Sequence, residues 1–254
     1  MSLELYKNPK YYEIAFSFIN VKKQVNLFEE FIKKYSKINV KSILDIACGT
    51  SLQLREFARR NYRCIGLDMN KEMLNYLKKE AKKEKLDIET IKANMINFSL
   101  KNKVDFAFIL MGSIIYIKSN AELMNLLKSV SNSLNSGGLF LIENLPMTWS
   151  NPKFWEKQIW TINHKNIKIT TTYKITPKDD INQIIHQDIT LKVNDNGHRI
   201  IIRDEGDFKI IFPQELKTII DLEGNFEFIG FFERGKVRQL KKASANSIIL
   251  IRKK

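Results

Sequence analysis

The segment Ile43 to Ser51, ILDIACGTS, sets a carboxylate on an apolar run and then turns through small residues. A turn made of Ala47, Cys48 and Gly49 lets backbone approach a ligand closely. Asp45, just inside that turn, could receive a cationic group. Asp68 closes the next apolar stretch, Arg63 to Leu67, about 20 residues past Gly49, where a carboxylate can accept both hydroxyls of an adenosine ribose. A dinucleotide fingerprint also needs a small residue three positions after its second glycine. That position here is Leu52, which would crowd a pyrophosphate against the start of the following helix. The chemistry these residues could do is therefore recognition of an adenosyl ligand that lacks phosphates.

The elements that must hold these residues follow from periodicity. Tyr11 to Lys34 reads as one or two amphipathic helices, with Val25, Phe28, Phe31 and Ile32 on one stripe. Ile43 to Ile46 reads as a strand and Ser51 to Arg60 as a helix, followed by a strand at Arg63 to Leu67. Asn70 is placed to cap a helix through Met73, Leu74 and Leu77. Ile88 to Lys92 and Val104 to Leu110 read as strands. The latter is apolar except for Asp105, as a strand covered on both faces should be. Ser119 to Glu122 has capping-box spacing, and Leu123, Leu126, Leu127, Val130 and Leu134 form a helical stripe that stops before Gly137 and Gly138. A strand follows from Leu139 to Asn144.

After Pro146 the rhythm changes to alternating stretches without helices between them: Trp155 to Asn163, Ile167 to Ile175, Ile181 to Val193 and Arg199 to Arg203. Phe212 to Leu222 returns to helical spacing, and Phe226 to Glu233 and Ser247 to Arg252 supply two last strands. The expected fold class is α/β, a Rossmann-like doubly wound, mostly parallel seven-stranded sheet with an inserted antiparallel sheet. The organisation it implies is a helical cap over 1–40, a cofactor-binding core over 41–147, the insert as substrate cover over 148–205, and completion of the core sheet over 206–254.

A hydrophobic content of 44% with 28% charged residues suits a chain that buries a core and excludes a disordered or fibrous one. The net charge of +14 is spread along the chain and interleaved with acids, as in Lys78 to Lys85, which suits a solvated helix face better than a phosphate-tracking patch. The opening MSLELYKNPKYYE has charges and no apolar run, so neither a signal peptide nor a membrane anchor is expected, and the expected location is the cytoplasm. Cys48 and Cys64 are too few for a disulfide framework, and no metal role is expected of them.

The motifs together resemble the class I S-adenosylmethionine-dependent methyltransferases, in the branch that modifies small molecules and includes amino-sugar N-methyltransferases. The resemblance covers Tyr11 to Glu143 and rests on YYEIAFSF, LDIACGTS, GLDMNKEML and ANMINF, at Tyr11, Leu44, Gly66 and Ala93. It implies S-adenosyl-L-methionine as cofactor, whose ammonium would meet Asp45. Asp45, Ala47, Cys48 and Gly49 would then contact the methionine portion, Asp68 the ribose, and Met69 and Met95 the adenine. Asn94 stands where the family often has an acid that accepts from the adenine amino group, and an amide oxygen can still accept. Ser51 stands where the family usually has glycine. Leu110, Met111 and Gly112 would floor the site near the methyl group, and Tyr12 would place an aromatic face beside the sulfonium.

Methyl transfer is an in-line displacement at a carbon already activated by positive sulfur, so the protein mainly aligns and desolvates the acceptor. A neutral amine needs no base; a hydroxyl needs a histidine or carboxylate. Tyr12 and His186 are the candidate catalytic residues, with Tyr173, Arg203 and Asp204 as further candidates on the insert. DNA amino-methyltransferases carry an Asn/Asp-Pro-Pro-aromatic turn where this chain has Leu110 to Ser113, and cytosine C5 enzymes need a cysteine there. The expected partner is a small-molecule acceptor offering nitrogen or oxygen, not nucleic acid and not a membrane, with the inserted sheet as the surface for any homodimer. An RNA or protein methyltransferase using the basic surface, and a non-catalytic S-adenosylmethionine-binding module, stay open as alternatives.

Overall fold

The computed structural model describes residues 4–143, 155–242, 244 and 247–254. Its elements run α1 (Pro9–Ala15), α2 (Val21–Tyr35), β1 (Ser42–Ile46), α3 (Leu52–Arg59), β2 (Arg63–Asp68), α4 (Lys71–Lys83), β3 (Ile88–Lys92) and β4 (Val104–Ile109). They continue with α5 (Asn120–Ser133), β5 (Leu134–Glu143), β6 (Gln158–His164), β7 (Ile167–Asp179), β8 (Ile184–Asp195), β9 (His198–Lys209), α6 (Pro213–Glu223), β10 (Phe226–Glu233) and β11 (Ser247–Lys253). Single 3-10 turns lie at Glu4–Lys7 and Ser113–Tyr116.

The main sheet has seven strands in the order β10-β11-β5-β4-β1-β2-β3, with β11 antiparallel to both neighbours and the rest parallel. The order reverses at β1, so β1 and β4 diverge at their carboxyl ends and leave the crevice that such sheets use for ligands. One face buries Leu44, Ile46, Leu67, Ile109 and Phe140 against α5 and α6 residues such as Leu126, Leu127 and Leu216. The other buries Phe106, Phe108 and Leu141 against Phe28 and Phe31 of α2 and Phe57 of α3. Each fully buried phenylalanine contributes roughly 1.5–3 kcal/mol, so this aromatic layer firmly fixes α2 and α3 to the sheet.

The exception in β4 has a structural explanation. Asp105 Oδ2 accepts from Lys41 N, Ser42 N and Ser42 Oγ at 2.9, 3.0 and 2.7 Å, and its Oδ1 accepts from Asn135 Nδ2 at 2.8 Å. Burial pushes this carboxyl up, yet those hydrogen bonds hold it below its ordinary value. The same contact corrects the reading of the glycine pair. The helix stripe was expected to run to Leu134 and stop before Gly137, but α5 ends at Ser133 and β5 already begins at Leu134. Gly137 and Gly138 lie inside the strand, and a Cβ on Gly138 would sit 2.5 Å from the Asp105 backbone oxygen. The far end expected for this strand, Asn144, lies outside the described residues, as does the expected boundary at 147/148.

The second sheet is antiparallel, in the order β6-β7-β8-β9. Its last strand was expected over Arg199 to Arg203 and extends to Lys209, because β8 and β9 pair without a break from Asp195↔His198 to Ile184↔Lys209. The division expected between 205 and 206 therefore falls within β9. One face of this sheet packs Ile169, Ile189, Leu191 and Ile202 onto Leu5, Ile14 and Ala15 of the N-terminal segment. Side-chain bonds reinforce that packing. Trp160 Nε1 donates to the Ala15 carbonyl at 2.7 Å, and Asp195 accepts from Lys10 and from the Tyr11 hydroxyl, both at 3.0 Å. The insert and the segment from Leu5 to Ala15 thus make one cover over the carboxyl ends of the main strands. Among the described residues no helix is long and apolar enough to cross a membrane.

Candidate functional site

At the exit of β1 the backbone turns through alternate left-handed residues: Ala47 at φ 57°, Gly49 at 54° and Ser51 at 35°. Glycine accepts this conformation freely; for Ala47 and Ser51 it costs roughly 1–2 kcal/mol each. Ser51 offsets that by its side chain. Its hydroxyl donates to Asp45 Oδ2 at 2.5 Å and accepts the Leu54 N–H at 3.1 Å, capping α3. The departure from glycine at this position is therefore used to hold a carboxylate.

Asp45 is 3% exposed. Burial raises its carboxyl pKa, the Ser51 hydroxyl opposes the rise, and the charge of Asp68 adds to it. Asp68, at the end of β2, accepts the Gly49 N–H and the Asn70 N–H, both at 2.8 Å, so it ties the two strand exits together. Its carboxyl is also raised by burial, against the pull of those backbone donors. Buried Asp45 and half-buried Asp68, with no cation between them among the described residues, form an acceptor for a ligand carrying positive charge and hydroxyls.

Two hollows meet here. The larger, about 1060 Å³, is lined by Tyr12, Ala47, Gly49, Asp68, Met69, Asn94 and Met95 on the core side. On the cover side Tyr6, Lys178, His186, Asp207 and Phe208 complete it. The smaller, about 60 Å³, is lined by Tyr12, Asp45, Ala47, Cys48, Leu110 and Met111. Tyr12, Ala47 and Ser113 border both. Of the residues expected to contact the cofactor, only Gly112 lines neither; it sits at φ 72° and starts the Ser113–Tyr116 turn. Asn94 is exposed, and its amide oxygen already accepts the Ile96 N–H at 3.1 Å, leaving that oxygen one further lone pair.

Tyr12 projects from α1 between the turn and the cover, 3.9 Å from where a Cβ on Gly49 would lie. Tyr6 stands edge-on to it with ring centres 5.7 Å apart, and the Tyr6 hydroxyl meets that of Tyr116 at 2.6 Å. Tyr116 in turn stands edge-on to Phe208 of β9 at 5.2 Å. Burial pushes the Tyr12 and Tyr6 phenols well up and the Tyr116 phenol up to about 12, so all three are neutral hydrogen-bonding groups near pH 7.

The other expected catalytic residue occupies different ground. His186 pairs across the ladder with Asp207, and its Nδ1 lies 2.7 Å from Asp207 Oδ1. Lys178 also donates to Asp207, whose carboxyl is held below its ordinary value by these two neighbours. The pleat puts His186 and Asp207 on the face opposite to Ile185, Ile189 and Phe208, and both His186 and Asp207 line the larger hollow. Asp188 and Glu205 share that face, and together with His186 bring ligand-capable atoms within 4.8 Å of one another. Among the remaining insert candidates, Tyr173 donates to Gln187 at 3.0 Å, Arg203 is exposed, and both oxygens of Asp204 are taken by backbone N–H groups. Tyr6, Tyr116, Lys178, Asp207 and Phe208 were not singled out by sequence spacing, since each stands far along the chain from the turn it faces. Cys48 and Cys64 are buried and free.

Comparison with known proteins gives a family match over part of the chain and a likeness of fold. Residues 43–138 match the family described as a methyltransferase domain. A Streptomyces venezuelae dTDP-3-amino-3,4,6-trideoxy-alpha-D-glucopyranose N,N-dimethyltransferase is 29% identical over 102 residues, 40% of this chain and 41% of that protein. The chain spans 55% and 41% of the lengths of the two curated relatives it matches. An S-adenosylmethionine-dependent methyltransferase from Clostridium acetobutylicum superposes with a TM-score of 0.80 at 16% identity, covering 95% of each chain. The S-adenosylmethionine-bound amino pentose methyltransferase CalS10 from Micromonospora echinaspora gives 0.75 at 15% identity, covering 96% of this chain and 97% of that one. At such identities the likeness of structures is one of fold.

Proposed function

We propose that this chain, whose residues 43–138 match a methyltransferase domain, is a class I S-adenosylmethionine-dependent methyltransferase that moves the methyl group to a nitrogen of a small molecule. The observation that carries the reading is the pair of carboxylates, buried Asp45 and half-buried Asp68, set at neighbouring strand ends where the two hollows meet. The methionine ammonium would lie in the smaller hollow against Asp45, the ribose against Asp68, and the adenine between Met69 and Met95 near Asn94. The sulfonium would then fall beside Tyr12, where an aromatic face attracts it by about 0.5–2 kcal/mol.

Nitrogen is favoured over oxygen by the state of the neighbouring groups. The tyrosine phenols are held neutral, Asp68 serves backbone N–H groups, and Asp207 is engaged by Lys178 and His186. A neutral amine attacks without surrendering a proton first, whereas a hydroxyl acceptor would need a free base. His186 then acts at the rim, orienting part of the acceptor rather than taking its proton.

The test is transfer from S-adenosylmethionine labelled in its methyl group to a panel of amino sugars, including dTDP-3-amino-3,4,6-trideoxyglucose, and to their hydroxyl counterparts. Label on the amines alone, insensitive to salt, is expected. Label only on hydroxyl compounds would reverse the choice of atom. Incorporation into a defined RNA bound at nanomolar affinity and physiological salt would reverse the choice of substrate class.

A further inference from the structure

The first residues described are held by an acid near the far end of the insert. Asp204 Oδ1 accepts the Glu4 N–H at 2.8 Å and its Oδ2 accepts the Leu5 N–H at 2.6 Å. Asp204 does not line either hollow. A carboxylate outside both hollows, with each oxygen on a backbone donor, does not reach an acceptor held in them. What it does is fix the backbone of a four-residue 3-10 turn, Glu4–Lys7, which is too short to hold a shape by itself.

Tyr6 lies in that turn and is the first cover residue to touch the core. Its hydroxyl bond to Tyr116 joins the N-terminal segment to the turn after β4, and Phe208 joins Tyr116 to β9. Both tyrosines line the larger hollow with Gly49 and Asp68. The bond between them therefore spans the gap between cover and core alongside the proposed cofactor. Leu5 is 4% exposed in the cluster under the insert, so the segment stays attached by packing even without Asp204. Asp204 governs how the turn is oriented, not whether it is bound.

We propose that Asp204 is a positioning residue, which sets Tyr6 against Tyr116 and so keeps the cover closed on bound cofactor. This rests on S-adenosylmethionine being the cofactor, and its role is exerted through the tyrosine pair and not on the reacting atoms. Two hydrogen bonds to a charged group are lost in Asp204→Ala, one is retained in Asp204→Asn, and Tyr116→Phe removes the hydroxyl while keeping the ring against Phe208.

The experiment is stopped-flow dissociation of S-adenosylhomocysteine from the full-length protein and these variants. Asp204→Ala and Tyr116→Phe should each speed release by about tenfold, with Asp204→Asn in between. The double variant Asp204→Ala/Tyr116→Phe should release no faster than the quicker single variant, because both remove the same closure. Multiplication of the two effects would show that Asp204 acts independently of the pair and would overturn the proposal. An Asp204→Ala variant that unfolds at the wild-type temperature and releases ligand at the wild-type rate would overturn it too. If Asp204→Ala fails to fold, the cycle of Asp204→Asn with Tyr116→Phe decides by the same criterion. A wild-type protein that binds no S-adenosylhomocysteine would instead overturn the functional reading beneath it.

Discussion

The turn after β1 and the cover above it solve the same problem, enclosing a ligand, in opposite ways. The turn draws its polar groups from Asp45 to Ser51 and from Asp68, which parallel pairing of β1 with β2 brings side by side. The cover draws on residues separated by up to 200 positions, joined by aromatic edges and by acids whose oxygens are already engaged by neighbouring donors. Charge is concentrated in the turn, where burial raises the carboxyl groups and leaves them wanting a cation. The cover offers shape, neutral hydroxyls and, at Lys178 and Asp207, charges paired with each other. Affinity for cofactor should therefore reside in the turn, and retention of it in the cover.

Asp68→Ala gives the largest expected effect. It should weaken S-adenosylmethionine binding by about 1.5–3 kcal/mol in calorimetry. Unchanged affinity in a folded variant would take Asp68 out of the site.

Asp45→Asn separates binding from stability. Because the folded carboxyl is raised above its unfolded value, the native state holds the extra proton, and stability without ligand falls as pH rises from the unfolded value through the raised one. At neutral pH the amide should therefore melt no lower than wild type while binding cofactor about tenfold more weakly. For wild type, affinity should decline as pH falls through the raised value, since the protonated acid no longer attracts the ammonium. A lower melting temperature with unchanged affinity would show that Asp45 is structural.

Tyr12→Leu tests the boundary between the regions, with an expected loss of about 0.5–2 kcal/mol in affinity for S-adenosylmethionine. Binding of S-adenosylhomocysteine, which has no sulfonium charge, should change less. A loss larger than that of Asp68→Ala would transfer the main share of affinity to the cover and break the comparison.

Trp160→Phe should have the smallest effect on binding. It removes the hydrogen bond to Ala15 and should lower stability by about 0.5–1.5 kcal/mol, with faster amide exchange over α1 and cofactor affinity nearly unchanged. Equal exchange in the variant would mean that packing alone holds α1.

The same contrast explains what the sequence made legible. Strand, turn and helix from Ile43 to Arg60 are read correctly because local periodicity, a capping serine and small turn residues all point one way. The doubly wound order follows from the alternation of such units, and the antiparallel insert from the change of period after Pro146. What was not legible depends on partners distant in the chain. The extent of β9 is set by continuous pairing with β8, beyond the alternation visible at Arg199 to Arg203. Gly137 and Gly138 read as a helix stop because nothing nearby reveals that the Asp105 backbone leaves no room for a side chain. Asp204 looked like a proton acceptor because a lone acid on a strand does not disclose that two amides far upstream occupy it. Tyr6 and Tyr116 carry no spacing that relates them; only the fold brings their hydroxyls to 2.6 Å.

The clamp of Asp204 on Glu4 and Leu5 also sets an order of assembly. During synthesis Glu4 and Ala15 must wait for partners 145 to 200 positions downstream, at Trp160 and Asp204. Closing so long a span is slow, and it rewards the chain only after the intervening strands exist. The turn proposed to receive the adenosyl ligand can therefore form while the cover is still unmade. A chain cut short before β9 would carry that turn open to water, and the Glu4–Lys7 segment would be among the last to find its place.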